Sequence, residues 1–196
     1  MIEVKRADEL GEDNRRRIAE VLVGGFAEDF AFFSSDPRRL ADAFAHMLIL
    51  DRFHVTLADG EPAAVATLTT GAQECFAPRR SELRRHLGPV HGLISHLVIR
   101  SQFMGAPDEA RPGLAEIGFV ATAPGQRGRG MATALMRHLL ALPGFDEFVL
   151  RDIKDTNAAA LGLYAKLGFT EYRRRPVRFA RRAGFTDYVS MSRAGN

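Results

Sequence analysis

Arginine and glycine alternate at Arg127-Gly128-Arg129-Gly130, directly ahead of a run from Met131 to Leu142 with helix-forming composition. A glycine-rich turn that opens a helix leaves the first N–H groups without carbonyl partners, and the helix dipole adds positive charge there. Such an arrangement binds phosphate without a dedicated side chain. The stretch Thr122 to Ala132 contains no acid. The expectation is a phosphorylated ligand on the backbone of residues 127–132, with Gly130 and Ala132 small enough to let phosphates approach. Arg127 and Arg129 either add charge-assisted contacts or line the rim. Two nucleotide patterns fit poorly: Gly128-Arg-Gly130-Met-Ala-Thr133 lacks the third glycine of a dinucleotide fingerprint, and the loop has no lysine for a Walker motif.

A second candidate is Glu116, an acid among Leu114, Ile117, Phe119 and Val120. An acid is out of place in a buried strand. It could face a water-filled cleft and take a proton from a substrate amine, directly or through water; a solvated strand-end residue is the alternative. Gly118, in mid-strand, signals a bulge or a close backbone approach. The third candidate is the pair Asn157 and Tyr164, seven residues apart and so two turns along one helix. Asn157 suits a helix N-cap.

Arg127-Gly128-Arg129-Gly130-Met131-Ala132, preceded by Thr122-Ala123-Pro124, matches Arg/Gln-x-x-Gly-x-Gly/Ala. Downstream, Asn157 to Phe169 matches Asn-x-x-Ala-x-x-x-Tyr-x-x-x-Gly-Phe. The two segments, in this order and one strand apart, resemble the acyl-CoA motifs of the GNAT acetyltransferase superfamily. The likeness is close over residues 114–175; the first half of the chain agrees only in element order. It implies an acetyl-CoA-dependent N-acyltransferase that passes an acetyl or larger acyl group directly to a primary amine. It further implies that residues 127 to 132 grip the pyrophosphate and leaves both roles open to Asn157, helix N-cap or side-chain ligand of the pantetheine arm. In the family the strand carrying Glu116 splays from the next one, pantetheine inserts there, and the N–H groups of Phe119, Val120, Ala121 and Thr122 would polarise the thioester carbonyl. Tyr164 would protonate the departing thiolate; a phenol of pKa about 10 holds its proton at neutral pH. Aromatic packing against the sheet is the other role open to Tyr164. Some members carry a glutamate at the place of Glu116 as general base.

The elements that must position these residues follow from periodicity and punctuation. Ile2 to Val4 reads as a short strand, and Glu9 to Phe30 as one helix with Ile18, Val21, Leu22 and Phe26 on a face. Asp36-Pro37 is an N-cap and N1 pair opening a second helix. Phe53 to Leu57 and Ala63 to Thr70 form a hairpin around Asp59-Gly60. Residues 71–112 form an excursion with helix candidates at 78–87 and 93–103. Then come strand 114–122, the glycine loop and its helix, strand 145–151, helix 157–167 ended by Gly168, and strands 169–174 and 185–191. This order predicts a single α/β (α+β) domain over residues 1–196. Its sheet is mixed and mostly antiparallel, with helices on both faces and a parallel pair joined by a helical crossover.

Composition bounds the rest. With 46% hydrophobic and 26% charged residues the chain is of ordinary globular type. Its net charge of +3 suits an anionic cofactor and is too small to argue for nucleic acid. Cys75 is the only cysteine, so no internal disulfide is possible, and a covalent acyl-enzyme is not expected since neither motif contains a cysteine. The six histidines show no metal spacing, and no metal is expected. No signal-peptide core or membrane span is visible, which points to the cytoplasm. The run Arg173 to Arg182 reads as a solvated hairpin near the site mouth. Two further functions stay open, a non-catalytic CoA-binding module and an arginine-rich nucleic-acid binder on the same fold. The acceptor, a small-molecule or peptide amine, carries no motif, and a homodimer is compatible with the sequence.

Overall fold

The computed structural model describes residues 2–105, 111–178 and 180–195, with Arg182 as backbone only. β1 (Ile2–Arg6) leads through two short 3-10 turns to α1 (Arg15–Gly25) and α2 (Pro37–Ala45). β2 (Phe53–Ala58) and β3 (Glu61–Thr70) form the expected hairpin. Asp59 and Gly60, at φ of 52° and 85°, supply the two left-handed residues of its tight turn. α3 (Arg80–Leu87) and α4 (Pro89–Gln102) make up the excursion; its residues 106–110 lie outside those described. β4 (Leu114–Thr122), α5 (Met131–Leu140), β5 (Glu147–Lys154), α6 (Ala158–Lys166), β6 (Thr170–Pro176) and β7 (Asp187–Ala194) follow in chain order.

The seven strands form one sheet in the order β1-β2-β3-β4-β5-β7-β6. Every neighbouring pair is antiparallel except β4 and β5, which run parallel with α5 as their crossover. Alternation along the strands divides the apolar residues between two faces. Val65, with Phe53, Val55 and Leu57, joins a core under α1, α2 and α3 that also takes Ile99 of α4. Ala64 and Ala66, with Ala115, Ile117, Phe148 and Leu150, join the core under α5 and α6.

Two expectations need correction. The helix read over Glu9 to Phe30 is shorter, because Gly11, at φ 77°, interrupts it and α-helix begins only at Arg15. The helix read from Leu93 begins four residues earlier, because Pro89 sits at N1 after Gly88 at φ 94° and needs no N–H there. Asp36 caps α2 as expected, its carboxylate accepting from the N–H groups of Arg38 and Arg39.

Candidate active site

β4 and β5 pair at only three positions, Leu114 with Glu147, Ala115 with Phe148 and Glu116 with Val149. Beyond Glu116 the strands part, although β4 continues to Thr122 and β5 to Lys154. Each is bulged against its outer neighbour just past this point. On β4 the register slips between the partners of Thr67 and Val65, and Phe119 takes φ 48°; on β5 it slips between Leu150 and Ile153, and Asp152 takes φ 51°. A left-handed non-glycine residue costs about 1–2 kcal/mol. The Phe119 ring offsets this by packing 4.9 Å from Phe76, 5.8 Å from Phe26 and 5.9 Å from Phe103, centroid to centroid. The bulge anticipated from Gly118 therefore falls one residue later. Gly118 has a separate reason: a Cβ there would sit 2.9 Å from Thr67 Oγ1.

Glu116 stands at the last paired rung. Its neighbours Ala115 and Ile117 belong to the α5/α6 core, so its side chain lies on the opposite face, where its charge acts on Cys75. Arg151 Nη1 donates to Glu116 Oε2 at 3.1 Å, which ties β5 to β4 as they separate. Arg151 was missed in the sequence. Its one signal was a charge following Phe148-Val149-Leu150. Further out, Lys154 Nζ lies 2.6 Å from Asp29 Oδ1, which links the end of β5 to the segment between α1 and α2.

The glycine loop joins β4 to α5 through a single 3-10 turn, Pro124–Gln126. Gly128 and Gly130 take φ of 74° and 81°, and Gly130 is the N-cap of α5. Among the described residues, the first N–H of α5 to reach a backbone carbonyl is that of Ala134, on Gly130 at 2.9 Å. The N–H groups from Gly128 to Thr133 are thus available to an anion, and the residues from Arg127 to Gly130 are exposed. Met131 is buried beneath them, its carbonyl accepting from Thr56 Oγ1 at 3.2 Å. Ala132 keeps the first turn open to a ligand. Arg127 reaches sideways, with Nη2 3.4 Å from the Gly24 carbonyl at the end of α1. Gly25 makes this fit possible: a Cβ there would lie 2.4 Å from that of Ala121. Arg129 makes no side-chain hydrogen bond or ion pair among the described residues.

On the other side of the gap, Asn157 caps α6, its Oδ1 accepting from the Ala160 N–H at 3.2 Å. Among the described residues its amide nitrogen makes no hydrogen bond. Tyr164 is 5% exposed, packs edge-on against Phe169 at 6.1 Å and belongs to the α5/α6 core with Ile117 and Ile153. Burial drives its phenol pKa well above the ordinary value, so it is protonated at any working pH. Tyr164 and Glu116 therefore flank the splayed strands from opposite faces of the sheet. Phe119, Val120, Ala121 and Thr122 occupy the β4 stretch between Glu116 and the loop, along which β5 gives no backbone partner.

The remaining candidates fall into place around this centre. Cys75 is buried and its thiol is pushed up to about 12, first by loss of hydration and then by Glu74 and Glu116, so it supplies no thiolate. His91 Nε2 meets the Phe33 carbonyl at 3.0 Å, a packing role. Among the described residues no cluster of three His, Cys, Asp or Glu side chains comes together, and no helix is long and apolar enough to cross a membrane. In the basic run, Arg174 pairs with Glu171 at 2.8 Å. Arg175 pairs with Asp152 at 2.9 Å and stacks on Tyr188.

Residues 26–169 match the sequence model of the acetyltransferase (GNAT) family. Among curated protein sequences none matches the chain. Among solved structures, an N-acetyltransferase from Staphylococcus aureus is similar over 97% of this chain and 100% of its own, with a TM-score of 0.64 and 17% identity. A protein described as a histone acetyltransferase and related acetyltransferase from Corynebacterium glutamicum is similar over 100% and 97%, with a TM-score of 0.62 and 22% identity. A putative acetyltransferase from Salmonella typhimurium, solved with its cofactor acetyl-CoA, is similar over 100% and 94%, with a TM-score of 0.59 and 17% identity.

Proposed function

This chain belongs to the GNAT acetyltransferase family, and on that premise we propose that it passes the acetyl group of acetyl-CoA directly to a primary amine in a ternary complex. The observation that carries the reading is the coincidence of two features on one segment. β4 loses its β5 partner after Glu116, and eight residues past Thr122, at Gly130, it opens into a helix N-terminus with its amides unpaired. A long ligand with an anionic end and an extended, amide-bearing arm suits both. The backbone of residues 128–133, with Arg129 at the rim, would hold the pyrophosphate. The Asn157 amide nitrogen and the open edge of β4 would hold the pantetheine arm.

The chemistry then needs three services. An alkylammonium of pKa about 10 is mostly protonated at neutral pH and cannot attack. Glu116 takes its proton, directly or through a water, on the face away from α5. The freed nitrogen bonds to the thioester carbon and gives up a second proton to water, and the C–S bond breaks as the oxyanion collapses. N–H groups between Phe119 and Thr122, re-aimed by the bulge, hold that oxyanion. Tyr164, on the α5/α6 face, gives its hydroxyl proton to the leaving sulfur, which departs as a free thiol, and Tyr164 regains a proton from solvent. Arg151 positions the Glu116 carboxylate. Cys75, buried and protonated, takes no part.

Acetyl-CoA should raise the melting temperature, since a ligand at 100 times its Kd adds about 2.7 kcal/mol. Thiol release in the presence of a panel of amines then tests transfer. Stabilisation without thiol release from any amine would replace the enzyme by a binding module, and no stabilisation would remove the cofactor.

A further inference from the structure

Among the described residues, few large apolar side chains are strongly exposed, and four of them gather in one place. Val90 (70% exposed), Ile94 (43%) and Leu97 (59%) recur at i, i+4 and i+7 along α4, which puts them on one face. Phe32 (54%) joins them from the segment between α1 and α2; its ring is 5.5 Å from that of His91, one residue from Val90. α4 buries only Gly92, Ser95 and Ile99 fully, so the domain's own core leaves this second apolar face unused. A contiguous exposed apolar stripe rimmed by charge marks an interaction surface.

The α3–α4 segment that carries most of the stripe has one dominant sign, although Glu28, Asp29 and Asp36 flank Phe32. Arg79, Arg80, Arg84, Arg85 and Arg100 are all exposed, against the single acid Glu82. Residues 79–102 thus hold more positive charge than the whole chain, whose net is +3. Arg84 closes one end of the stripe, its Nε donating to the Pro89 carbonyl at 3.2 Å. Arg100 closes the other, one turn beyond Leu97. A second copy of this chain would set arginines against arginines across such a face, which disfavours it. A partner with apolar residues between acidic ones fits.

The helix that carries the stripe also leads to the reactive centre. Phe103, the C-cap of α4 on its buried side, has its ring 5.9 Å from that of Phe119 at the β4 bulge, three residues from Glu116. From Leu97 to Phe103 is about 9 Å along the helix. An occupant of the stripe whose chain turns around the C-terminal end of α4 is thereby directed toward the carboxylate, which a flat lipid surface cannot be. We propose that the exposed face of α4, with Phe32, is a docking surface for an acidic polypeptide acceptor, whose apolar residues lie on Val90, Ile94 and Leu97 while its amine reaches Glu116. This rests on the transfer reading above and names the acceptor as a protein or peptide.

The test uses a fluorescein-labelled peptide of about twelve residues, roughly three helical turns. It has a free amine at one end, leucines at i, i+4 and i+7, and glutamates flanking them. The controls are the same peptide with lysines for glutamates, and the short amine of its terminal residue alone. Thiol release with the acidic peptide should exceed that with either control by about tenfold in kcat/KM. The double variant Ile94→Glu, Leu97→Glu should abolish that preference and leave the short-amine rate unchanged, since neither residue lies in the catalytic centre. Equal rates for the two peptides, or a preference that survives the double variant, overturns the proposal. So does binding of the parent protein to anionic phosphatidylglycerol vesicles, lost in the variant, without any peptide preference; that outcome would make the face a lipid contact. A dimer in sedimentation that the variant dissociates would make it a self-contact and overturns it equally. Fluorescence anisotropy separates the two readings: acidic-peptide binding without thiol release keeps the docking surface and removes the enzyme.

Discussion

Glu116 and Arg151 meet across β4 and β5 at the rung where the parallel pair stops, with Nη1 of one 3.1 Å from Oε2 of the other. The ion pair sits where the strands begin to diverge, so it can fix both the width of the gap and the aim of the carboxylate. Both side chains are partly exposed, at 17% for Arg151 and 30% for Glu116, so water can still reach the acid.

If Glu116 removes the amine's proton, Glu116→Gln should lower kcat/KM for an amine acceptor by about 100-fold or more at neutral pH. The deficit should shrink as pH rises, because the free-amine fraction grows about tenfold per unit below the amine pKa of about 10. Initial rates of thiol release across this range measure it. A variant with an unchanged pH profile would leave the ion pair structural. Arg151→Gln, which keeps the acid and loses its anchor, should show a smaller loss of the same kind.

For Tyr164 the packing seen in the core stands beside the catalytic role proposed for it. Tyr164→Phe keeps the ring that packs on Phe169 and removes only the hydroxyl. A proton donor at the leaving sulfur should cost about 100-fold in kcat, within the usual range for general acids, with little change in the acetyl-CoA KM. The melting temperature should barely move. Parent-like turnover would show the hydroxyl to be idle.

The cradle can be tested through its backbone. Gly130 takes φ 81°, and an added Cβ would meet nothing within 4 Å. Gly130→Ala therefore carries only the cost of the left-handed conformation, about 1–2 kcal/mol. In a domain of this size that is a fall of roughly 2–8 °C in melting temperature. Relief of the strain would swing the first amides of α5 away from their common focus, so the acetyl-CoA KM should rise while kcat holds. A variant equal to the parent in both would mean that this loop does not grip the cofactor.

The sequence is readable where one residue type has a local duty. Asp36 and Asn157 cap their helices, Asp59-Gly60 turns the hairpin, and Gly128 and Gly130 take left-handed φ. Such duties depend on two to four neighbours in the chain. The centre of the site depends on partners far apart in sequence and was only half visible. Glu116 stood out as an acid in an apolar strand, but Arg151, 35 residues away, did not declare itself as its partner. The bulge was anticipated from Gly118, yet the left-handed residue is Phe119, because three aromatic rings from distant elements hold that one. α4 was misread at its start for a related reason: its exposed apolar face hides the amphipathic pattern that normally marks a helix's extent.

Two histidines, the buried His54 and the half-buried His46, should set the acid limit of stability. Burial pushes His46 down to about 4; Arg79 adds to the effect, and its N–H donates to Nε2, which must stay unprotonated to accept. Burial likewise pushes His54 down to about 4, followed by His138, whose ring lies 5.8 Å away, and by Arg6. Both folded-state values lie below the unfolded one of about 6.5, so the unfolded chain takes up protons first as pH falls. The stability present above that value is then lost progressively toward pH 4. At about pH 5 the loss is on the order of 2 kcal/mol for each histidine, before most carboxylates begin to titrate. Urea midpoints at about pH 7 and pH 5 should therefore differ clearly, and His54→Leu should reduce the difference by roughly half. Equal midpoints at the two pH values would show that both imidazoles charge freely in the folded protein.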